Sequence, residues 1–274
     1  MLRTKKIRAI VIQPVKKPSF KAKPIDTALV SAQLSSPTLR LINWMSQYYA
    51  VPPSAVASLM LPATFTKPRN QYQPSSVQIS DTQLPKLTDE QSKTIAAIDS
   101  SASSTHIIHG DTGTGKTRLY IELIKQSLEQ GKSAIVLTPE INLTPQLLAT
   151  LKASFTTVHV VHSKITPAQR TIIWNTVKDG GPHLVIGPRS ALFYPVDNIG
   201  LIVVDEFHDS SYKQQQAPRY NAVRVAAVLA REHNAQLVLG SATPPVEDFF
   251  YALSKGASVH RLTEKAVKSS FSTT

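Results

Sequence analysis

The sequence predicts an α/β domain, with a mainly parallel sheet and helices on both faces, preceded by a small basic region of helical and irregular character. Three observations carry this. Short β-rich runs alternate with helical patterns from Thr105 onward, the arrangement of a buried parallel sheet. Helix starts are marked at Thr144-Pro145 and Thr166-Pro167, each pairing an N-cap hydroxyl with proline at the first helical position. The 274 residues are enough for one large domain plus a smaller element.

The strands are expected at His106 to His109, Ala134 to Leu137, Val158 to Val161, His183 to Ile186, Leu201 to Val204 and Gln236 to Leu239. Gly131 sits where the helix after Lys116 should stop. Upstream, Leu39, Leu41, Ile42, Met45, Tyr48 and Tyr49 form an apolar helical pattern that Val51-Pro52-Pro53 breaks, with a second short helix expected from Ser54 to Leu61. Residues 63–86 are rich in Pro, Gln, Ser and Thr, the composition of a linker. The expected organisation is therefore a basic region at 1–62, a linker at 63–86 and the main lobe at 87–274.

Charge is unevenly placed. Residues 1–86 carry twelve Lys/Arg against Asp26 and Asp81, whereas the remainder is close to neutral. Eight cations (Arg3, Lys5, Lys6, Arg8, Lys16, Lys17, Lys21, Lys23) precede the first acid and make an arm suited to a polyanion, nucleic acid above all. A solvated tail and an organelle-targeting peptide are the alternatives. With no cysteine, disulfides, thiolate zinc sites and cysteine nucleophiles are excluded from this chain. No apolar run reaches the roughly 18 residues of a membrane span, so no membrane partner is expected and the expected location is cytoplasmic.

Gly110-Asp111-Thr112-Gly113-Thr114-Gly115-Lys116-Thr117 fits G-x-x-x-x-G-K-[ST], in which glycines let backbone N–H groups converge on phosphate oxygens at a helix N-terminus. It follows an expected strand and opens an expected helix, the context the motif needs. Lys116 would reach the β/γ-phosphates of ATP and Thr117 would ligate Mg²⁺. At the end of the apolar run Leu201 to Val204, Asp205 would hold the Mg²⁺ shell and Glu206 would orient or deprotonate the attacking water. Phe207 and His208 follow, and Gly240-Ser241-Ala242-Thr243 closes the next apolar strand. His109, His159, His162 and His183 have no ligand spacing and are read as core or edge histidines rather than a metal site.

An Asp-Glu-x-His string and a Ser-Ala-Thr string, in that order after a phosphate loop, resemble superfamily-two helicases and translocases, whose motor lobes are RecA-like. The finer resemblance is to the primosomal replication-restart helicase family. It rests on Val136 to Gln146, on Ile186 to Phe193, and on Asp205 to Gln215 continuing into Pro218-Arg219-Tyr220. That resemblance implies an ATP-dependent DNA helicase, with Gln91 reading the adenine and with Pro139 to Gln146 and Gly187 to Ser190, Arg189 included, touching the strand backbone. Asp209 to Gln215, with Tyr212 and Lys213, is similar to the family's aromatic-rich loop that couples DNA contact to hydrolysis. Ser241 and Thr243 would link nucleotide state to DNA grip. Arg219 is either a DNA contact or an ordinary surface cation. The helix at Leu39 to Tyr49 resembles the tail of the family's N-terminal DNA-binding domain.

Several positions depart from the family pattern. Asp111 places a negative charge in the phosphate loop and would weaken ATP affinity if it pointed inward; Asn142, Pro188 and Phe207 replace an expected Gly, Thr and acid. The sequence ends about thirty residues after Thr243, before the family's second motor lobe, its arginine finger or its cysteine-rich zinc insert. A solitary lobe is expected to bind ATP and Mg²⁺ yet hydrolyse poorly, because an arginine finger is worth roughly 10³ to 10⁵ in turnover. The expectation is an ATP-binding motor lobe acting on forked or single-stranded DNA, with a separately encoded second lobe or other primosome proteins as partners. A non-hydrolysing, ATP-responsive DNA-binding protein and a degenerate helicase fragment are the alternatives.

Overall fold

The computed structural model describes residues 34–62, 84–139 and 145–266, together with residues 16 and 19. The cationic arm thus lies almost wholly outside the described residues, as do most of the linker and Glu140 to Thr144.

Seven strands form one sheet in the order β3-β4-β2-β5-β6-β1-β7, and every pairing is parallel. They are β1 (Thr105–Gly110), β2 (Ser133–Leu137), β3 (Val158–Val160), β4 (Leu184–Gly187), β5 (Ile199–Val204), β6 (Gln236–Ser241) and β7 (Ser258–Leu262). Their apolar runs are explained by alternation between two cores. Ile107, Ile135, Leu137, Val185, Ile202, Val204, Leu237 and Leu239 face one core, while Ile108, Ala134, Val136, Leu184, Ile186, Leu201, Val203 and Val238 face the other. The second core is covered by α3 (Asp89–Asp99), α4 (Lys116–Glu129) and α5 (Pro145–Ser154). The first is covered by α6 (Pro167–Lys178), α7 (Ala222–His233), α8 (Val246–Ser254) and two helices from the N-terminal region.

Capping follows the local chemistry. Thr166 Oγ1 accepts a hydrogen bond from Gln169 N, and Thr166 N donates in return to Gln169 Oε1, a full capping box for α6. Past the end of α4, Gly131 adopts φ 69°, the left-handed conformation that ends a helix. The cap expected at Thr144 lies outside the described residues.

The two N-terminal helices, α1 (Ser36–Tyr48) and α2 (Pro53–Met60), do not stand apart from the lobe. Leu41, Ile42, Met45, Val56 and Met60 join the same core as one face of the sheet. Trp174 Nε1 donates to Met60 O at 2.6 Å, Arg40 pairs with Glu232 of α7, and Tyr49 Oη accepts from Asn221 N at 3.1 Å. A two-helix hairpin this short buries too little surface to fold alone, so its apolar face is satisfied by the sheet's helical layer. β7 is the strand absent from the sequence reading: it is an edge strand in which Ser258, His260 and Arg261 leave no continuous apolar run.

The histidines pair across the sheet. His106 Nδ1 lies 3.2 Å from His260 Nε2, and His159 Nε2 lies 3.3 Å from His183 Nδ1. Burial, helped by the neighbouring imidazole, pushes His106 and His159 each down to about 4. The unfolded chain therefore binds more protons between pH 6.5 and 4, and stability present above pH 6.5 drains away as pH falls through that window. Asp205, raised to about 6, works in the opposite sense, but one carboxylate offsets only part of two imidazoles. We expect a net loss of about 2 kcal/mol or more between pH 7 and pH 5. Urea midpoints measured at the two pH values check this, and equal midpoints would refute it.

Among the described residues no helix is long and apolar enough to cross a membrane.

Candidate nucleotide-binding site

β1 delivers the chain to Gly110, and α4 begins at Lys116, so the intervening loop sits at the C-terminal edge of a central strand. Gly113 and Gly115 hold φ 89° and 82°, a region that side chains disfavour. At Gly115 the restriction is also steric, since a Cβ would lie 2.2 Å from Gln91 Nε2. Thr114 Oγ1 donates to Asp111 O at 2.8 Å and tightens the turn. Asp111 itself is exposed. Thr112 and Gly113 are exposed beside it, and Thr117 is half-buried in the first turn of α4.

Lys116 is buried, with Nζ donating to Gly110 O at 2.7 Å and lying 3.4 Å from Glu206 Oε1. Its carboxylate partner comes from the end of β5. Asp205 N still donates to Leu137 O at 2.9 Å, and the chain then turns sharply, with Glu206 at φ 47°. A non-glycine residue in that region is costly and is retained where geometry is at a premium. The turn places Glu206 between Lys116 and His208, whose Nδ1 lies 3.3 Å from Glu206 Oε2 and 2.8 Å from Ser241 Oγ. Ser241 Oγ also accepts from Thr243 N at 3.0 Å. Motifs scattered over more than a hundred residues thus join into one polar string: Lys116, Glu206, His208, Ser241, Thr243.

Asp205 is held differently. Burial pushes its carboxyl up to about 6 and the charge of Glu206 adds to the rise, while Tyr120 Oη, donating to Oδ1 at 3.1 Å, and Lys116 pull it down. Asp205 is a buried carboxylate at the mouth of the phosphate loop with no cation in salt-bridge contact among the described residues, a group whose chemistry suits a cation. Lys116, with a buried ammonium at the loop, suits a phosphate oxygen. The chemistry of Lys116, Thr117 and Asp205 fits a magnesium-bound nucleoside triphosphate.

Tyr120 escaped the sequence reading, although its signal was present: it lies four residues after Lys116 on α4, hence on the same helical face. Its approach to Asp205 depends on Gly240 of β6, where a Cβ would lie 1.6 Å from the Tyr120 hydroxyl.

Other site residues are committed to the protein itself. Gln91 is buried: its Oε1 accepts from Thr88 N at 3.0 Å, closing the α3 capping box, and its Nε2 donates to Thr114 O at 3.2 Å. The amide thus braces the phosphate loop. Arg189 donates to Ser211 O and, at 2.6 Å, to Gln214 Oε1, so its guanidinium ties the post-Asp205 loop to the end of β4. Tyr212 is buried and donates to Asp205 O at 2.6 Å. Lys213 and Arg219 are exposed, Ser190 is half-buried, and Arg219 Nε donates to Gln215 O at 3.1 Å.

A family model described as DEAD/DEAH box helicase matches residues 88–249, more than half of the sequence, and the chain belongs to that family. A second model, described as a 3'DNA-binding domain, matches residues 1–62. The particular relatives are replication restart proteins. The chain is 44% identical over 168 residues to Replication restart protein PriA of Bacillus subtilis, covering 60% of this chain and 21% of the relative. To Replication restart protein PriA of Helicobacter pylori (strain 26695) it is 36% identical over 254 residues, covering 90% of this chain and 39% of the relative. The chain thus spans well under half the length of these relatives. A solved structure of RecG bound to a three-way DNA junction aligns with a TM-score of 0.48 at 18% identity, over 67% of this chain and 24% of that one.

Proposed function

We propose that the chain is the ATP-binding motor lobe of a PriA-like DNA helicase of replication restart. The observation that carries this reading is the contiguous string from Lys116 through Glu206 and His208 to Ser241 and Thr243, which links the phosphate loop to the end of β6. Lys116 binds the β/γ-phosphates, and Thr117 and Asp205 hold magnesium. Bound magnesium neutralises phosphate charge. Glu206 orients the attacking water and takes its proton at the carboxylate, and His208 passes any resulting shift of Glu206 to Ser241. Arg189 and Tyr212 tie the loop after Asp205 to both the sheet edge and the acid, so a strand pressing on exposed Lys213 or Arg219 would be felt at Asp205. The division into a DNA-binding region at 1–62, a linker at 63–86 and a motor lobe at 87–274 belongs to the same reading. In this reading a second lobe completes the cleft and supplies an arginine to the transferred phosphate.

The test is ATP hydrolysis by the purified chain, alone and mixed with a second helicase lobe, with and without forked DNA. DNA-stimulated turnover that Glu206→Gln lowers at least about 100-fold, with ATP affinity preserved, is the expected result. Tight ATP and DNA binding with no turnover under any of these conditions would instead identify a non-hydrolysing, ATP-responsive DNA-binding protein.

A further inference from the structure

The segment that follows β7, Thr263 to Ala266, lies against the phosphate loop, and a carboxylate outside the string from Lys116 to Thr243 holds it there. Glu90, the second residue of α3, accepts three hydrogen bonds from the start of this segment. Its Oε2 takes Thr263 N at 2.8 Å and Glu264 N at 3.0 Å, and its Oε1 takes Thr263 Oγ1 at 3.0 Å. Slight burial opposes ionisation of Glu90, but the Glu264 and Thr263 donors outweigh it and hold the carboxyl below its ordinary range.

The far end of the segment reaches the loop itself. Ala266 N donates to Gly113 O at 3.0 Å, which fixes the tilt of the peptide joining Gly113 to Thr114. Two loop glycines are also approached closely from this side: a Cβ at Gly110 would lie 2.9 Å from Leu262 Cβ, and one at Gly115 would lie 2.9 Å from Ala266 Cβ. Gly110 and Leu262 are register partners on β1 and β7, so loop and segment spring from neighbouring strands at the same level.

We propose that Thr263 to Ala266 is a strap that shapes the phosphate loop for its ligand, and that Glu90 is the positioning residue that clasps it. The inference rests on the nucleotide-binding part of the function proposed above and adds a residue to it, one that acts through Ala266 and Gly113. A phosphate loop binds through its backbone N–H groups, so a peptide free to rotate presents them correctly only part of the time. Apparent affinity falls in proportion to the fraction of molecules in the competent form, and a strap docked in about one molecule in ten lowers it about tenfold. Linkage requires the converse, that a bound phosphate chain holds the strap down.

The unaltered chain, Glu90→Ala and Ala266→Pro are compared by amide hydrogen exchange and by calorimetric titration with magnesium-ATP and with magnesium tripolyphosphate, which has neither base nor ribose. In the unaltered chain the amides of Thr263, Glu264 and Ala266 should exchange slowly although these residues are exposed, and either ligand should slow them further. Glu90→Ala should speed all three and weaken both ligands in parallel, about tenfold. Ala266→Pro removes only the donor to Gly113 O, so it should weaken both ligands alike while Thr263 and Glu264 stay slow; it also decides the matter if Glu90→Ala fails to fold. Exchange at Thr263 and Glu264 that is as fast in the unaltered chain as in Glu90→Ala overturns the clasp. Unchanged affinity in folded variants overturns the strap while nucleotide binding stands, and a loss confined to ATP shows that the segment serves the base and not the loop. If the unaltered chain binds neither ligand, the nucleotide reading falls and the strap with it.

Discussion

Lys116→Ala is expected to weaken binding of ATP with magnesium by roughly 10- to 100-fold while leaving the lobe folded. A hydrogen bond from a charged donor contributes about 1.5–3 kcal/mol, and each 1.4 kcal/mol is tenfold in affinity. The ammonium is also the positive neighbour of Glu206 at 3.4 Å and one of the groups holding the Asp205 carboxyl down. Its removal therefore raises Asp205 further above its ordinary range, and the remaining affinity should fall more steeply as pH drops toward 6. Calorimetric titration at pH 8 and pH 6.5, with thermal unfolding as the control for folding, measures both effects. Unchanged affinity in a folded variant would remove Lys116 from the site.

Gly240→Ala is expected to destabilise the lobe by about 2–4 kcal/mol, although it adds only one methyl group. The new Cβ would lie 1.6 Å from the Tyr120 hydroxyl oxygen and 2.9 Å from the ring carbon bearing it. Tyr120 is buried and has no free space to swing into, so the ring is driven off Asp205; overpacking of this sort costs about 1–3 kcal/mol, and the lost hydrogen bond adds about 1. The mechanism predicts non-additivity. Tyr120→Phe removes the clashing oxygen, so the double variant should be more stable than Gly240→Ala alone. Urea unfolding of the four proteins decides this, and strict additivity would mean that the clash is relieved elsewhere.

Parts of this arrangement were legible before any fold was known, and for physical reasons. β2, β4 and β5 announce themselves because a strand buried on both faces must be apolar throughout, and α6 because Thr166-Pro167 and Gln169 cap it locally. β7 did not, because three of its five residues, Ser258, His260 and Arg261, are polar, whereas the other edge strand, β3, keeps Val158 and Val160 about a single His159. Gln91 and Arg189, which the resemblance assigns to a base and to a strand, hydrogen-bond here to Thr88, Thr114 and Gln214, and those two roles belong to the proposed function. No pattern in the chain distinguishes a polar group turned outward from one turned inward. The composition of residues 63–86 reads as a boundary, yet says nothing of where Leu41, Ile42 and Met45 bury themselves.

The sequence by itself determined the phosphate loop, the acid pair at the end of β5 and the alternating α/β plan, because each depends on spacing within a few residues of chain. Only the tertiary structure decided that His208 meets Ser241, that Tyr120 reaches Asp205 through the gap left by Gly240, and that α1 and α2 share the lobe's core. Those contacts join residues far apart in the chain, and they exist because the strand order sets β1, β5 and β6 side by side, which no local propensity encodes.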